Sequence, residues 1–166
     1  MTTRVAIALG SNLGDRLGHL QRAVDGLRAA GISDLRLSGV YETDPVGGVE
    51  QPDYLNAVVV GVTNLDPWSL LRLGQRLEQQ AGRVRAEPNG PRTLDVDLLA
   101  HGTTEIRSDE LIVPHPRAVE RGFVLVPWAD VDPTFQVADR PVVEHLAQVS
   151  PGGVRSRPDL RLRGDG

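Results

Sequence analysis

"GPRTLDVDLLAHG", Gly90 to Gly102, decides the fold, because its core "TLDVDLLAHG" is the last strand a βαββαβ order requires. Side chains two apart on a strand share a face, so Leu94, Val96 and Leu98 turn to the core. Asp95 and Asp97 then turn outward together. The pair has two readings, the solvated face of an ordinary strand or two carboxylates held out to hard cations and substrate phosphates. The rest of the chain has to decide between them.

Working back from that strand, Asp66-Pro67 supplies an N-cap and a first-turn proline for a helix. Its buried stripe is Leu70, Leu73, Leu77 and Ala81, and Gly82 ends it. "LRLSGVYET" (Leu35 to Thr43) and "LNAVVVGVT" (Leu55 to Thr63) are strands by their Val, Leu and Tyr content. Leu13, Leu17, Leu20, Val24 and Leu27 mark an earlier helix, closed by Gly31, and "RVAIALG" (Arg4 to Gly10) is the first strand. The order is β-α-β-β-α-β, an α/β (α+β) ferredoxin-like arrangement whose helices are expected on one face of an antiparallel sheet. Among the C-terminal additions, "FVLVPW" (Phe123 to Trp128) is expected to be a strand and "PVVEHLAQV" (Pro141 to Val149) a short helix. Residues 1–150 form one domain, and 151–166 an Arg-rich tail expected to be loose.

A chain of 166 residues, 40% apolar and 24% charged, fits one soluble globular domain. No apolar stretch spans a bilayer and no signal peptide opens the chain. Without cysteine there are no disulfides, and a cytoplasmic monomer is expected. A net charge of −4 argues against a general nucleic-acid surface. All 18 basic residues are arginine, which removes lysine chemistry and leaves arginine, backbone N–H groups and metal to handle any phosphate.

Asp95 and Asp97 stand beside Arg83, Arg85 and Arg92 of "GRVRAEPNGPR". Acids for metal and arginines for phosphate oxygens are what phosphoryl transfer needs. Arg92 is placed to meet phosphate; Arg155, in the tail, is not. His115 lies between prolines in "VPHPR", while His19, His101 and His145 have no motif around them. No H-E-x-x-H spacing points to zinc. Tyr54 and Phe123 offer aromatic faces, and Asn56 a donor and an acceptor for a heterocycle edge. Asp44 to Asp53 and Arg83 to Arg92 are long, turn-rich connections, expected to close over one site.

"ALGSNLGDR", "YETDPVGGVEQPDYLNAVV", "LEQQAGRVR", "GPRTLDVDLL" and "VPHPRAVERGFVLVPWADVDP" together resemble the hydroxymethyl-dihydropterin pyrophosphokinases of folate synthesis, in that family's order to about Pro133. The resemblance implies a ferredoxin-like α/β sandwich that moves pyrophosphate from ATP to the hydroxymethyl oxygen of 6-hydroxymethyl-7,8-dihydropterin, releasing AMP. It implies two Mg2+ ions on Asp95 and Asp97, and ATP contacts from Arg83, Arg85, Arg92, His115 and Arg121. Gln75 and Leu98 match the nucleoside pocket; Thr43, Val46, Tyr54, Asn56 and Phe123 match the pterin pocket. Glu78 matches an acid near the site whose role stays open. Two departures stand out. Pro88-Asn89 replaces the common Arg-Trp, which removes a tryptophan that would seal the pterin site, and Ala86 stands where members can carry lysine. A different two-metal nucleotidyl transferase or cyclase would use the same aspartates. An RNA-binding module of this topology would need aromatic strands and a basic sheet, which the sequence lacks.

Overall fold

The computed structural model describes residues 2–45, 51–82 and 93–164. Strand β1 (Thr3–Ser11) leads into helix α1 (Arg16–Ala29), then β2 (Ser33–Leu37), β3 (Tyr41–Thr43) and β4 (Tyr54–Thr63). Helix α2 (Pro67–Gln80) and strand β5 (Asp95–His101) complete the expected order. Short hairpin strands β6 (Ile106–Arg107) and β7 (Ile112–Val113) follow, then α3 (Gly122–Val131), β8 (Gln136–Val137), β9 (Arg140–Pro141), α4 (Val142–Leu146) and β10 (Val154–Ser156).

The main sheet runs β10-β3-β4-β1-β5, with β2 also on β4, and every pairing in it is antiparallel. Both helix starts are fixed by aspartate caps. Asp15 accepts from the Gly18 amide at 3.0 Å and Asp66 from the Ser69 amide at 2.8 Å. Gly31 and Gly82 follow the helices with φ of 108° and 78°, where a side chain would be strained. Leu13 falls outside α1 and is exposed, so the buried stripe starts at Leu20.

Residues from α1 and α2 pack with β1, β4 and β5 into one core that includes Leu9, Leu20, Leu27, Leu73 and Leu94. A second core lies on the opposite face, where Trp128, Leu125 and Phe135 meet Ala6, Val58 and Leu99. The helices therefore do not all sit on one face: α3 and α4 cover part of the other, which explains the nearly unbroken burial of β4.

Three further expectations are corrected. "FVLVPW" lies within helix α3, not a strand. A short, wholly apolar run has no period to distinguish the two, and this helix is wedged against the sheet. Leu35 to Thr43 is interrupted, because Ser38 engages Val58 from both its backbone and its side chain. Its amide donates to the Val58 carbonyl and its hydroxyl accepts from the Val58 amide, each at 2.9 Å. The chain steps out of the ladder there, and the Gly39 amide turns to Asp130 at 2.8 Å. Residues 151–164, expected to be loose, lie along the sheet instead. Val154, Arg155 and Ser156 pair with Thr43, Glu42 and Tyr41, and Leu160 and Leu162 pack on the first core.

Candidate active site

Because β1 is antiparallel to both neighbours, its C-terminal end meets the N-terminal ends of β4 and β5. Gly10 stands between Asn56 on β4 and Asp95 on β5, and Ala8 between Val58 and Asp97. Two minimal side chains in the middle of the sheet leave space above them. A cavity of about 160 Å³ opens there, lined among others by Thr43, Tyr54, Asn56, Asp95, Asp97, His115, Arg121 and Phe123. A Cβ on Gly10 would lie 3.0 Å from Asn56 Oδ1 and 3.5 Å from the Tyr54 ring, so only glycine keeps this floor open.

One end of the cavity is an amide corner. Thr43 and Asn56 are buried, and Asn56 Nδ2 donates to Thr43 Oγ1 at 2.6 Å. That bond fixes the amide plane, leaving Asn56 Oδ1 over Gly10. Tyr54 stands beside it, paired with Thr43 across the ladder. At the other end α3 begins, presenting Arg121 at its N-cap and Phe123 in its first turn, the guanidinium 5.4 Å from the ring centroid.

The acidic pair is held from behind. Gly74 brings α2 so close to β5 that a Cβ would lie 3.2 Å from both the Val96 carbonyl oxygen and its Cγ1. One turn on, the buried Glu78 accepts from the Val96 amide at 2.9 Å. Val96 is the residue between the two aspartates, on an edge strand, so α2 fixes the backbone that aims them.

His115 is anchored by its amide, which donates to the Leu99 carbonyl at 2.9 Å, while Nδ1 accepts from the Arg117 amide at 3.3 Å. Burial, with the Arg121 and Arg117 charges behind it, pushes its pKa below the ordinary imidazole value. With the Arg117 amide on Nδ1, the neutral ring carries its proton on Nε2. Burial and Arg117 lower the Arg121 pKa, opposed by the fields of Asp97, Glu120 and Asp95. It remains a cation, facing the acids across the cavity.

A second cavity, about 270 Å³, adjoins the first through Asp97 and His115. Leu70, Leu71, Val96, Leu98 and Ile112 give it an apolar wall, with Asp109 and Glu110 also lining it. Leu98 is therefore in this cavity, while Gln75 is exposed on α2, one turn beyond Leu71, and lines neither. Val46, Arg83, Arg85, Arg92 and the departures at Ala86 and Pro88-Asn89 lie outside the described residues, as do half of the first expected lid and all of the second. The sequence reading passed over Ala8, Gly10 and Asp44 as lining residues. Gly10 and Ala8 fall in the motif "ALGSNLGDR", but the residues alone mark Gly10 only as a glycine ending an apolar strand.

Fold and cleft together define a ferredoxin-like α/β protein with paired carboxylates between an amide-cornered pocket and an apolar one. The model of the 7,8-dihydro-6-hydroxymethylpterin-pyrophosphokinase (HPPK) family matches residues 6–133, most of the chain. The chain belongs to that family of enzymes. It is 45% identical to the 2-amino-4-hydroxy-6-hydroxymethyldihydropteridine pyrophosphokinase of Mycobacterium tuberculosis, with 96% of this chain and 89% of that one covered. Identity to the enzyme of the same name in Bacillus subtilis is 47%, covering 75% of each. In fold it is similar to the Plasmodium falciparum HPPK-DHPS protein solved with pterin and p-hydroxybenzoate. The TM-score is 0.67 at 14% identity, over 89% of this chain and 42% of that one.

Proposed function

We propose that the protein transfers pyrophosphate from ATP to the hydroxymethyl group of 6-hydroxymethyl-7,8-dihydropterin, yielding the pterin diphosphate and AMP. The observation that carries this reading is the meeting of two unlike cavities at Asp97 and His115. One suits a flat polar heterocycle and the other a nucleoside, so the phosphates of the second fall beside the reach of the first. The hydroxymethyl oxygen bonds to the β-phosphorus, the bond from that phosphorus to the α–β bridging oxygen breaks, and AMP departs with that electron pair. The hydroxyl proton passes to solvent or to a phosphate oxygen.

Each residue has a task in this scheme. Asn56, with Thr43 fixing its plane, reads the edge of the pterin, and Tyr54 and Phe123 offer ring faces. Val46 completes that pocket by family resemblance. Leu98 and Gln75 serve the nucleoside side. His115, neutral and with Nε2 protonated, donates to a phosphate oxygen. Arg121 meets phosphate from the α3 N-terminus, with Arg83, Arg85 and Arg92 contributing further charge. Among the described residues no group of three or more acidic, histidine or cysteine ligands gathers. Two carboxylates fit magnesium, which keeps waters and takes phosphate oxygens to complete its shell. Two Mg2+ ions held by Asp95 and Asp97 would neutralise phosphate charge and align the attacking and leaving oxygens. The reaction is assigned to a cytoplasmic monomer acting on small molecules, with neither nucleic acid nor membrane as partner.

Incubation with ATP, Mg2+ and 6-hydroxymethyl-7,8-dihydropterin is expected to release AMP and pterin diphosphate one for one. ADP as the nucleotide product, or AMP formation indifferent to the pterin, would overturn the assignment.

A further inference from the structure

The C-terminal strand lies beyond the residues matched to the family, yet it touches the pterin side of the cleft. β10 extends the sheet past β3, pairing Val154 with Thr43, the residue that fixes Asn56. The next residue, Asp44, lines the cavity, and its amide donates to the Gly153 carbonyl at 3.3 Å. Gly153 has φ of 80°, and a Cβ there would lie 2.7 Å from Asp44 Oδ2, so tail and cavity wall meet where only glycine fits.

Arg155 completes the contact. Its Nη1 donates to Asp44 Oδ1 at 3.1 Å and its Nη2 to Asp53 Oδ2 at 3.0 Å. One guanidinium thus bridges the two residues between which the chain leaves β3 and re-enters at β4. Asp44 follows Thr43 and Asp53 precedes Tyr54, so both anchors adjoin residues lining the cavity. Arg16 holds the same junction from α1, donating to the Asp53 carbonyl at 3.0 Å and to Glu42 at 2.8 Å. Arg157 reaches Glu42 from the tail at 3.2 Å.

We propose that Arg155 is a positioning residue for the pterin pocket, acting through Asp44 and Asp53 to hold the wall formed by Thr43, Asp44 and Tyr54. The inference rests on the pterin reading above. Arg155 touches neither the acidic pair nor the apolar cavity, so its influence falls on one substrate. Lysine cannot replace it fully, because a single ammonium lacks the planar fork that spans two carboxylates.

The test compares wild type, Arg155→Ala and Arg155→Lys by calorimetric titration with a non-hydrolysable ATP analogue plus Mg2+ and, with that analogue saturating, with 6-hydroxymethylpterin. Arg155→Ala is expected to weaken pterin binding roughly three- to tenfold, as loss of two partly exposed ion pairs implies, with nucleotide affinity unchanged. Arg155→Lys should fall between. The pterin is uncharged at pH 7, so salt should weaken its binding to wild type more than to Arg155→Ala, by screening the clamp. Equal pterin affinity in wild type and Arg155→Ala overturns the proposal, as does a parallel loss for both ligands, which would mark a general effect on folding. Wild type that binds no pterin instead overturns the functional reading beneath it.

Discussion

At the scale of single residues, the carboxylates were legible and the glycine between their neighbours was not. Asp95 and Asp97 follow from the two-residue period of a strand, which any reader of "TLDVDLL" can apply. Gly10 contributes the absence of a side chain, and that has meaning only once β1 is known to lie between Asn56 and Asp95. Asp97 is exposed on its strand, so Asp97→Ala should leave the thermal midpoint near wild type while lowering turnover about a hundredfold or more. Binding of Mn2+ in the presence of the ATP analogue should weaken in parallel; retained metal affinity with retained turnover would remove the acid pair from the mechanism. His115 gives a pH signature. Its folded pKa is depressed by burial first and by Arg121 and Arg117 next, so the unfolded chain takes up this proton at higher pH than the folded one. The resulting stabilisation is present above about pH 6.5, the unfolded value, and is lost as pH falls through the folded pKa. His115→Asn, which keeps an acceptor near the Nδ1 position, should therefore show a flatter decline in urea midpoint between pH 7.5 and pH 5.5 than wild type. Identical slopes would mean that the ring is not held neutral.

At the scale of elements, what was legible depended on whether an element carried a period. The amphipathic α1 and α2 announced themselves through leucines three and four apart and through Asp and Gly at their ends. α3 did not, because its buried residues, among them Val124, Leu125, Pro127 and Trp128, come from a run that is apolar throughout. Such a run is compatible with a buried strand or a buried helix, and only the packing decides. The arrangement of α2 against β5 was only partly legible: Glu78 matches a family acid near the site with no role attached, and Gly74 looks like an ordinary member of a helix. Their contact with Val96 makes α2 a jig for the acidic pair. Glu78→Ala removes the carboxylate acceptor of a partly buried amide, a loss that costs on the order of 1–3 kcal/mol. It should also lower turnover, because the backbone between Asp95 and Asp97 loses its tether. Glu78→Gln keeps an acceptor of the same length and should recover most of both. Chemical denaturation and steady-state rates of the two variants check this together. If Gln behaves like Ala, the charge of Glu78 matters rather than its grip on Val96.

At the scale of the whole molecule, the tail shows why composition alone misjudged order. "GGVRSRPDLRLRGDG" is rich in Gly, Pro and Arg, the composition of a segment that cannot form its own core. It needs none, because β3 offers it a sheet edge and the first core offers Leu160 and Leu162 an apolar surface. The Arg163 amide donates to Gln21 Oε1 at 2.8 Å, and Gln21 Nε2 donates back to the Arg163 carbonyl at 2.9 Å, fastening the chain across α1. Ending the chain after Arg157 would keep β10, Arg155 and the Arg157 contact with Glu42 but remove this second attachment. Two half-buried leucines and a reciprocal pair of hydrogen bonds together suggest a loss on the order of 2–4 kcal/mol in unfolding free energy. The amide-cornered cavity is lined by Ala8, Leu99, Phe123 and Val124 of the second core, across the sheet from the core that these leucines cover. The shortened protein should therefore unfold at lower urea while its affinity for 6-hydroxymethylpterin, measured well below the new midpoint, stays within about twofold of wild type. Losing stability without losing the pocket would separate the two roles of the tail: residues 151–157 brace the substrate wall, and 158–164 close the core. An unchanged urea midpoint would show that Leu160 and Leu162 contribute no net stability where they rest.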